Sequence, residues 1–334
     1  MNPKLKRSID ITPSSISELL LSQPTTLLGA FYEMQSSFLI GVYNRYLNIE
    51  TASIISCFAR RTHLEILRQR EKNLDHDISI HNFWDNYSKI EKPAEKIVSL
   101  AKLTGLPKET ARRKVSSLMK KNFINMNNNR EYFWYISQKN KEALLKNFNE
   151  EIGFLSKFVS YFTNYLNLDM SQKIIENEIK TQFSFYWYHF LSGQLKWLKM
   201  WQYKIKDIDL LLITLQAVIP TLKYIGKYNE NLSLTDFYKI VGKANDKYNF
   251  SDASISATSI SDISGIPRAT CIRKLDKLVK LELLIRDSKS KRYFVNQMTS
   301  GRTKNIITKE NVSQTIEIFS DHLSIMINAL IRFQ

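Results

Sequence analysis

Two short runs hold most of the side chains in this chain that could recognise another molecule. They are Lys108-Glu109-Thr110-Ala111-Arg112-Arg113-Lys114 and Arg268-Ala269-Thr270-Cys271-Ile272-Arg273-Lys274. Their chemistry is that of hydrogen bonding to fixed acceptors, not of bond making. A guanidinium fork can meet O6 and N7 of guanine with two parallel N–H bonds, a glutamate can accept from a cytosine amino group, and a lysine can hold guanine or phosphate as a point charge. In the first run Ala111, Val115, Leu118 and Met119 recur at helical spacing and face a core. Lys108, Glu109, Arg112 and Arg113 are then left on the outer face near the helix N-terminus, the part of such a helix that enters a major groove. Thr110 and Lys114 are placed for backbone phosphates, which position a reader without specifying sequence. The second run presents Arg268, Ala269, Thr270, Arg273 and Lys274 in the same places.

Each run is followed by a candidate hairpin. Phe123 to Asn127 and Glu131 to Ile136 read as strands around a tip of Asn128, Asn129 and Arg130. The corresponding tip in the second half is Asp287 to Arg292, carrying Lys289, Lys291 and Arg292. A basic tip suits a minor groove or its flanking phosphates.

The elements that must position these groups occur twice. Residues 97–136 and 257–296 share Gly105/Gly265, Pro107/Pro267, Thr110/Thr270, Arg113/Arg273, Lys114/Lys274, Leu118/Leu278 and Lys120/Lys280, with apolar residues matched between them. The order is short helix, glycine turn, longer basic helix and two strands. Gly105 supplies a tight turn at low steric cost, and Pro107 suits the first helical position, where its missing N–H has no partner to lose. A weaker likeness continues upstream. Ile78 to Trp84 matches Leu232 to Tyr238, Asn48-Ile49 resembles Lys204-Ile205, and the aromatic helix Phe31 to Tyr46 parallels Trp187 to Gln202. This predicts two modules, residues 1–170 and 171–334, each with a helical segment, a reading block (about 94–137 and 254–297) and a long following helix. The remaining helices are expected over Ser15 to Arg70, with a capping box at Ser15 and Glu18, over His81 to Tyr87, Asn140 to Asn167 and Glu310 to Arg332.

Leu100 to Ile124 and Ile260 to Leu284 resemble the winged helix-turn-helix of bacterial transcription regulators, particularly the MarR-like group. In that family a helical hub flanks each head, and the protein works as a homodimer on palindromic DNA. The resemblance implies a mainly α fold: two winged helix-turn-helix domains on a helical hub in a pseudo-twofold arrangement, with one chain supplying both halves. It implies a sequence-specific double-stranded DNA-binding protein, a transcription regulator acting as a single-chain pseudo-dimer on an imperfect inverted repeat, as monomer or homodimer. The heads differ, since Glu109 becomes Ala269 and Arg112 becomes Ile272. A plasmid-type replication initiator on iteron repeats and a winged-helix protein-interaction scaffold are the alternatives.

The totals agree with a folded, basic chain. There are 334 residues, enough for two cores, with 43% hydrophobic content and a net charge of +16, which favours an anionic partner. Cys57 and Cys271 have no zinc or disulfide spacing, and a reducing cytoplasm, with nucleoid association, is the expected location. The basic N-terminus shows no signal peptide, and the apolar run Ile208 to Ile219, ending at Pro220, is too short for a bilayer. No membrane, cofactor or metal is expected. His63, His76, His81, His189 and His322 lack metal spacing, Asp75-His76-Asp77 reads as a loop, and no nucleophile elbow, phosphate loop or catalytic carboxylate pair is present, so no enzyme is expected. The aromatic run Phe183 to Phe190, with Trp197, Trp201 and Tyr203, reads as core, with a pocket for a flat small-molecule effector as its functional alternative.

Overall fold

Several helix starts are marked by short polar side chains: Thr12, Asn48, Ser79, Ser171 and Ser256. The computed structural model describes residues 11–46, 48–168, 170–229, 232–242, 248–296 and 309–332. The basic N-terminal residues 1–10 and the stretch 297–308 ahead of the last helix lie outside them. Helix α1 (Pro13–Ser22) is capped by Thr12, whose hydroxyl accepts from the Ser15 backbone N–H. The start therefore precedes the expected Ser15 cap, because Pro13 fits the first helical turn and Thr12 supplies the acceptor. Helices α2 (Leu27–Tyr46) and α3 (Ile49–Lys72) follow, with Asn48 capping α3 through Thr51. Then come α4 (Ile80–Asp85), capped by Ser79, and the block α5 (Ile97–Thr104), α6 (Lys108–Lys120), β1 (Ile124–Met126) and β2 (Tyr132–Trp134). The long α7 (Gln138–Tyr165) closes this half.

The second half runs in the same order. It comprises α8 (Gln172–Thr181), capped by Ser171, α9 (Phe183–Ile205), α10 (Asp209–Tyr228), α11 (Leu234–Gly242), a 3-10 turn (Phe250–Ala253), α12 (Ala257–Ser264), α13 (Arg268–Lys280), β3 (Leu284–Arg286), β4 (Tyr293–Val295) and α14 (Lys309–Arg332). The fold is mainly helical: fourteen α-helices and two small antiparallel hairpins among the described residues. The hairpins pair Ile124 with Trp134 and Leu284 with Val295, and each gains one bridge from the chain ahead of its block, Glu95 to Tyr132 and Ile255 to Tyr293.

Packing repeats as well as order. α3 lies along α9, and α10 lies along α2. α2 packs on α7 and α9 on α14, while α1 packs on α14 and α8 on α7. Advancing each helix number by seven converts the contacts of one half into those of the other. The two halves are therefore interleaved, with the core running between them. Phe38 meets Phe190 edge-on at 5.2 Å between α2 and α9, and Phe31 meets Phe319 at 4.8 Å between α2 and α14. Edge-to-face rings add to the gain from burial alone.

The apolar run Ile208 to Ile219, expected to be too short for a bilayer, belongs to a longer helix, α10. It continues through Pro220 to Tyr228, twenty residues in all. Proline removes one helical donor, yet ten residues of α10, on both sides of Pro220, are buried in the core, and that burial holds the helix together. Among the described residues it is the one helix long and apolar enough by composition to cross a membrane, and 56% of its apolar window is buried inside the fold.

At the α3–α9 seam, His63 is fully buried, with Nδ1 3.2 Å from Ser184 Oγ and its ring stacked on Phe83 at 4.9 Å. Burial pushes its pKa down from 6.5 to about 3. The imidazole is neutral in the fold, so below pH 6.5 the unfolded chain binds one more proton than the folded one. Its contribution is complete above pH 6.5 and declines as pH falls toward about 3. Urea unfolding is expected to show about 2 kcal/mol less stability at pH 5 than at pH 7 from this residue. His63→Leu should flatten that decline, and an unchanged slope would contradict it.

Candidate nucleic-acid interface

The two basic helices are shaped by the turns before them. Gly105 (φ +75°) and Gly265 (φ +70°) cap α5 and α12 in the left-handed region. Both sit against the opposite half. A Cβ on Gly105 would come within 3.3 Å of Lys199 and Tyr203 on α9, and one on Gly265 within 2.3 Å of Asn44 Oδ1 on α2. Glycine is needed for the turn and for the close approach. Pro107 and Pro267 take the cap position in extended conformation, one residue before the expected first turn, and their carbonyls accept from Ala111 and Cys271. From there Ala111, Val115 and Leu118, and likewise Cys271, Leu275 and Leu278, go to the core.

The opposite faces point outward. Lys108, Glu109, Arg112 and Arg113 are exposed on α6, and Arg268, Ala269 and Arg273 on α13. Thr110 and Thr270 are half-buried. Arg112 donates to Glu109 Oε1 at 2.8 Å, and this bond holds the Glu109 carboxyl below the usual range. The pair can present a donor and an acceptor side by side. In α13 the same two positions carry Ala269 and Ile272, so no such pair exists. Arg268 Nε donates to Thr258 Oγ1 at 3.1 Å. Lys108, Arg113 and Arg273 carry no ion pair among the described residues.

Lys114 and Lys274 are not at this surface, contrary to the expectation of phosphate contacts. Lys114 Nζ lies 2.9 Å from Glu50 at the start of α3. Lys274 is 10% exposed and reaches Asp207 at 2.7 Å and Asp209 at 3.3 Å, before and at the start of α10. Both lysines lie on the half-buried flank of their helix, where the stem runs along apolar neighbours to a carboxylate. They dock the basic helices onto the hub. These carboxylates are hidden in the sequence, where Asn48-Ile49 aligns with Lys204-Ile205. The structural match is Ile49-Glu50 with Ile208-Asp209, three residues further on. Their local signal is an acid at the start of the long helix, α3 or α10, that stands two helices ahead of each block.

The hairpin tips follow one design. Asn127 Oδ1 accepts from the N–H groups of Asn129 and Glu131, and Asp287 Oδ1 accepts from those of Lys289 and Ser290. Such a side chain mimics a backbone turn. Arg130 and Lys291 adopt φ of 58° in both tips, as Asn122 (57°) and Glu282 (56°) do before the strands. Asn128, Asn129, Arg130, Lys289 and Lys291 are exposed at the tips. Arg292 is a stem residue instead, because its guanidinium folds back to the Ser254 carbonyl at 2.6 Å and the Ser254 hydroxyl at 3.1 Å.

Most of the aromatic run on α9 is core, but Tyr203, expected there, is 65% exposed. Phe183, Tyr186 and Trp187 are fully buried, as is Trp197 further along. Phe185, Tyr188 and His189 instead line a cleft of about 750 Å³ between α3, α9 and α14. No family model matches the chain, and no curated protein matches it either.

Proposed function

We propose that this chain is a double-stranded DNA-binding protein of the transcription-regulator kind. Its two halves are duplicated modules, each carrying a winged helix-turn-helix head, joined on one helical hub about a pseudo-twofold axis. The observation that carries the reading is the repetition of one exposed basic helix. α6 and α13 follow the same left-handed glycine, keep Arg113 and Arg273 exposed at matching positions, and precede hairpins with matching turn conformations. A single basic helix face is most often just a solvated surface. Two that share their turn, cap, docking lysine and hairpin are better explained as two copies of a reading surface.

On this reading each helix enters a major groove and Arg113 and Arg273 read a base common to both half-sites. Lys108 and Arg268 hold phosphate or guanine, and the basic tips hold the flanking backbone. The Glu109–Arg112 pair reads a position that Ala269 and Ile272 cannot, so the preferred site is an inverted repeat with unlike halves. Selection of bound sequences from random duplex DNA, followed by affinity measurement across salt, tests this. An imperfect inverted repeat with steeply salt-dependent affinity supports the proposal, since phosphate contacts release counterions. Direct repeats would favour an initiator on iterons. No enrichment, with weak binding erased by modest salt, would refute DNA reading and favour a protein scaffold.

A further inference from the structure

Two readers on one chain can discriminate sites by spacing only if something fixes one reader against the other. The contacts that do so converge where the N-termini of α3 and α10 meet. Lys114 of the first head is held by Glu50. The neighbouring residue, Ile49, donates its backbone N–H to Asp209 Oδ1 at 3.1 Å. The other carboxylate oxygen of Asp209 faces Lys274 of the second head at 3.3 Å. Asp207 completes the second anchor by reaching Lys274 at 2.7 Å and Lys277 at 3.3 Å. A continuous polar chain thus runs from one basic helix through the hub to the other. Its middle link is a side chain that is 13% exposed and so is shielded from salt and water.

We propose that Asp209 is a positioning residue that sets the spacing between the two DNA-reading helices, so that the protein discriminates operators by half-site separation as well as by base sequence. This rests on the DNA-binding reading above. Asp209 touches no DNA in this scheme. It ties the second head, through Lys274, to the helix on which the first head is docked. The two glycine turns resist tilting, because each already lies against the opposite half. They leave free the swing of each helix about its turn, and the lysine–carboxylate contacts restrain that swing. The anchors are unequal. Ser117 stands where the second head has Lys277, so the first head has one ion pair where the second has three.

Asp209→Asn separates this role from folding, because an asparagine Oδ1 can still accept from Ile49 while the attraction to Lys274 is lost. Lys274→Gln breaks the same contact from the head side. Full-length protein would be titrated with the selected duplex and with duplexes whose spacer is lengthened by two or five base pairs. A single half-site serves as reference. Wild type is expected to lose affinity steeply as the half-sites rotate apart, since matched heads need a fixed helical phase. Both variants should bind the selected duplex more weakly yet lose less on the altered spacers, with the discrimination ratio falling by roughly tenfold, which is about 1.4 kcal/mol. Asp209→Glu should restore part of that ratio. A purely structural role would weaken all duplexes alike and leave the ratio unchanged, which would overturn the assignment. Wild type that prefers no duplex over random DNA would instead overturn the reading on which the assignment rests.

Discussion

Replacing Arg113 and Arg273 together by alanine is expected to abolish selective DNA binding while leaving the fold intact. Both side chains are exposed and lie on helices held by their opposite faces, so the change should move thermal stability by no more than about 0.5 kcal/mol. Each bidentate arginine contact discriminates by about 1–3 kcal/mol. Loss of both should lower specific affinity by roughly thirty-fold to twenty-thousand-fold, leaving a weak, salt-sensitive residue of binding. Each single variant should relax base preference in one half-site only, read by repeating the selection with the variant. Equal relaxation of both halves by one substitution would contradict two separate heads. Arg112→Ala makes the useful comparison. It removes an exposed pair worth little to stability and should blur only the half-site read by the first head.

A stability effect of similar size is expected at the other end of the polarity scale. Arg45 on α2 and Glu151 on α7 form an ion pair with side chains 11% and 4% exposed. Burial pushes the Glu151 carboxyl above its usual range, and the neighbouring Arg45 only partly offsets it. The pair therefore contributes little net stability, but either member alone is an uncompensated buried group. Glu151→Ala should destabilise by about 3–5 kcal/mol, whereas Arg45→Met with Glu151→Leu should come close to wild type. Chemical denaturation of the three proteins checks this. If the single variant were as stable as the double, the contact would not be a sealed pair. The matching position in the second half carries Lys204 with Asn311 and Gln314, amides in place of an acid.

The block order was legible because its markers are local. A glycine before a proline, a basic helix with apolar residues at spacings of four and three, and a polar hairpin tip each leave a signature within a few residues, and the structure places a helix, turn or strand at each. Upstream, apolar helices match almost any other apolar helix, so the register slipped by three residues at Ile49 and hid the docking acids. Lys114 and Lys274 were misplaced for a related reason. A lysine on the flank of a helix reads the same whether its head meets water or a carboxylate from another element. Arg292 shows this again, folding back on Ser254. The interleaving of the halves had no sequence signal, since nothing along the chain marks α1 to pack on α14. Of the expected surface, Lys108, Glu109, Arg112, Arg113, Arg268, Ala269 and Arg273 are exposed on the two helices, as are the tip residues, although the Arg292 guanidinium is turned back on Ser254.

The measurement that tests the central claim most directly is a hydroxyl-radical footprint of the selected duplex, taken at a measured ratio of protein to DNA. One chain should protect two patches of backbone on one face of the duplex, their centres about one helical turn or a whole multiple of it apart. Both should be lost together as protein is diluted. A single protected patch per chain, or two patches that appear only when two chains are bound, would contradict a protein that carries both readers of its site in one polypeptide.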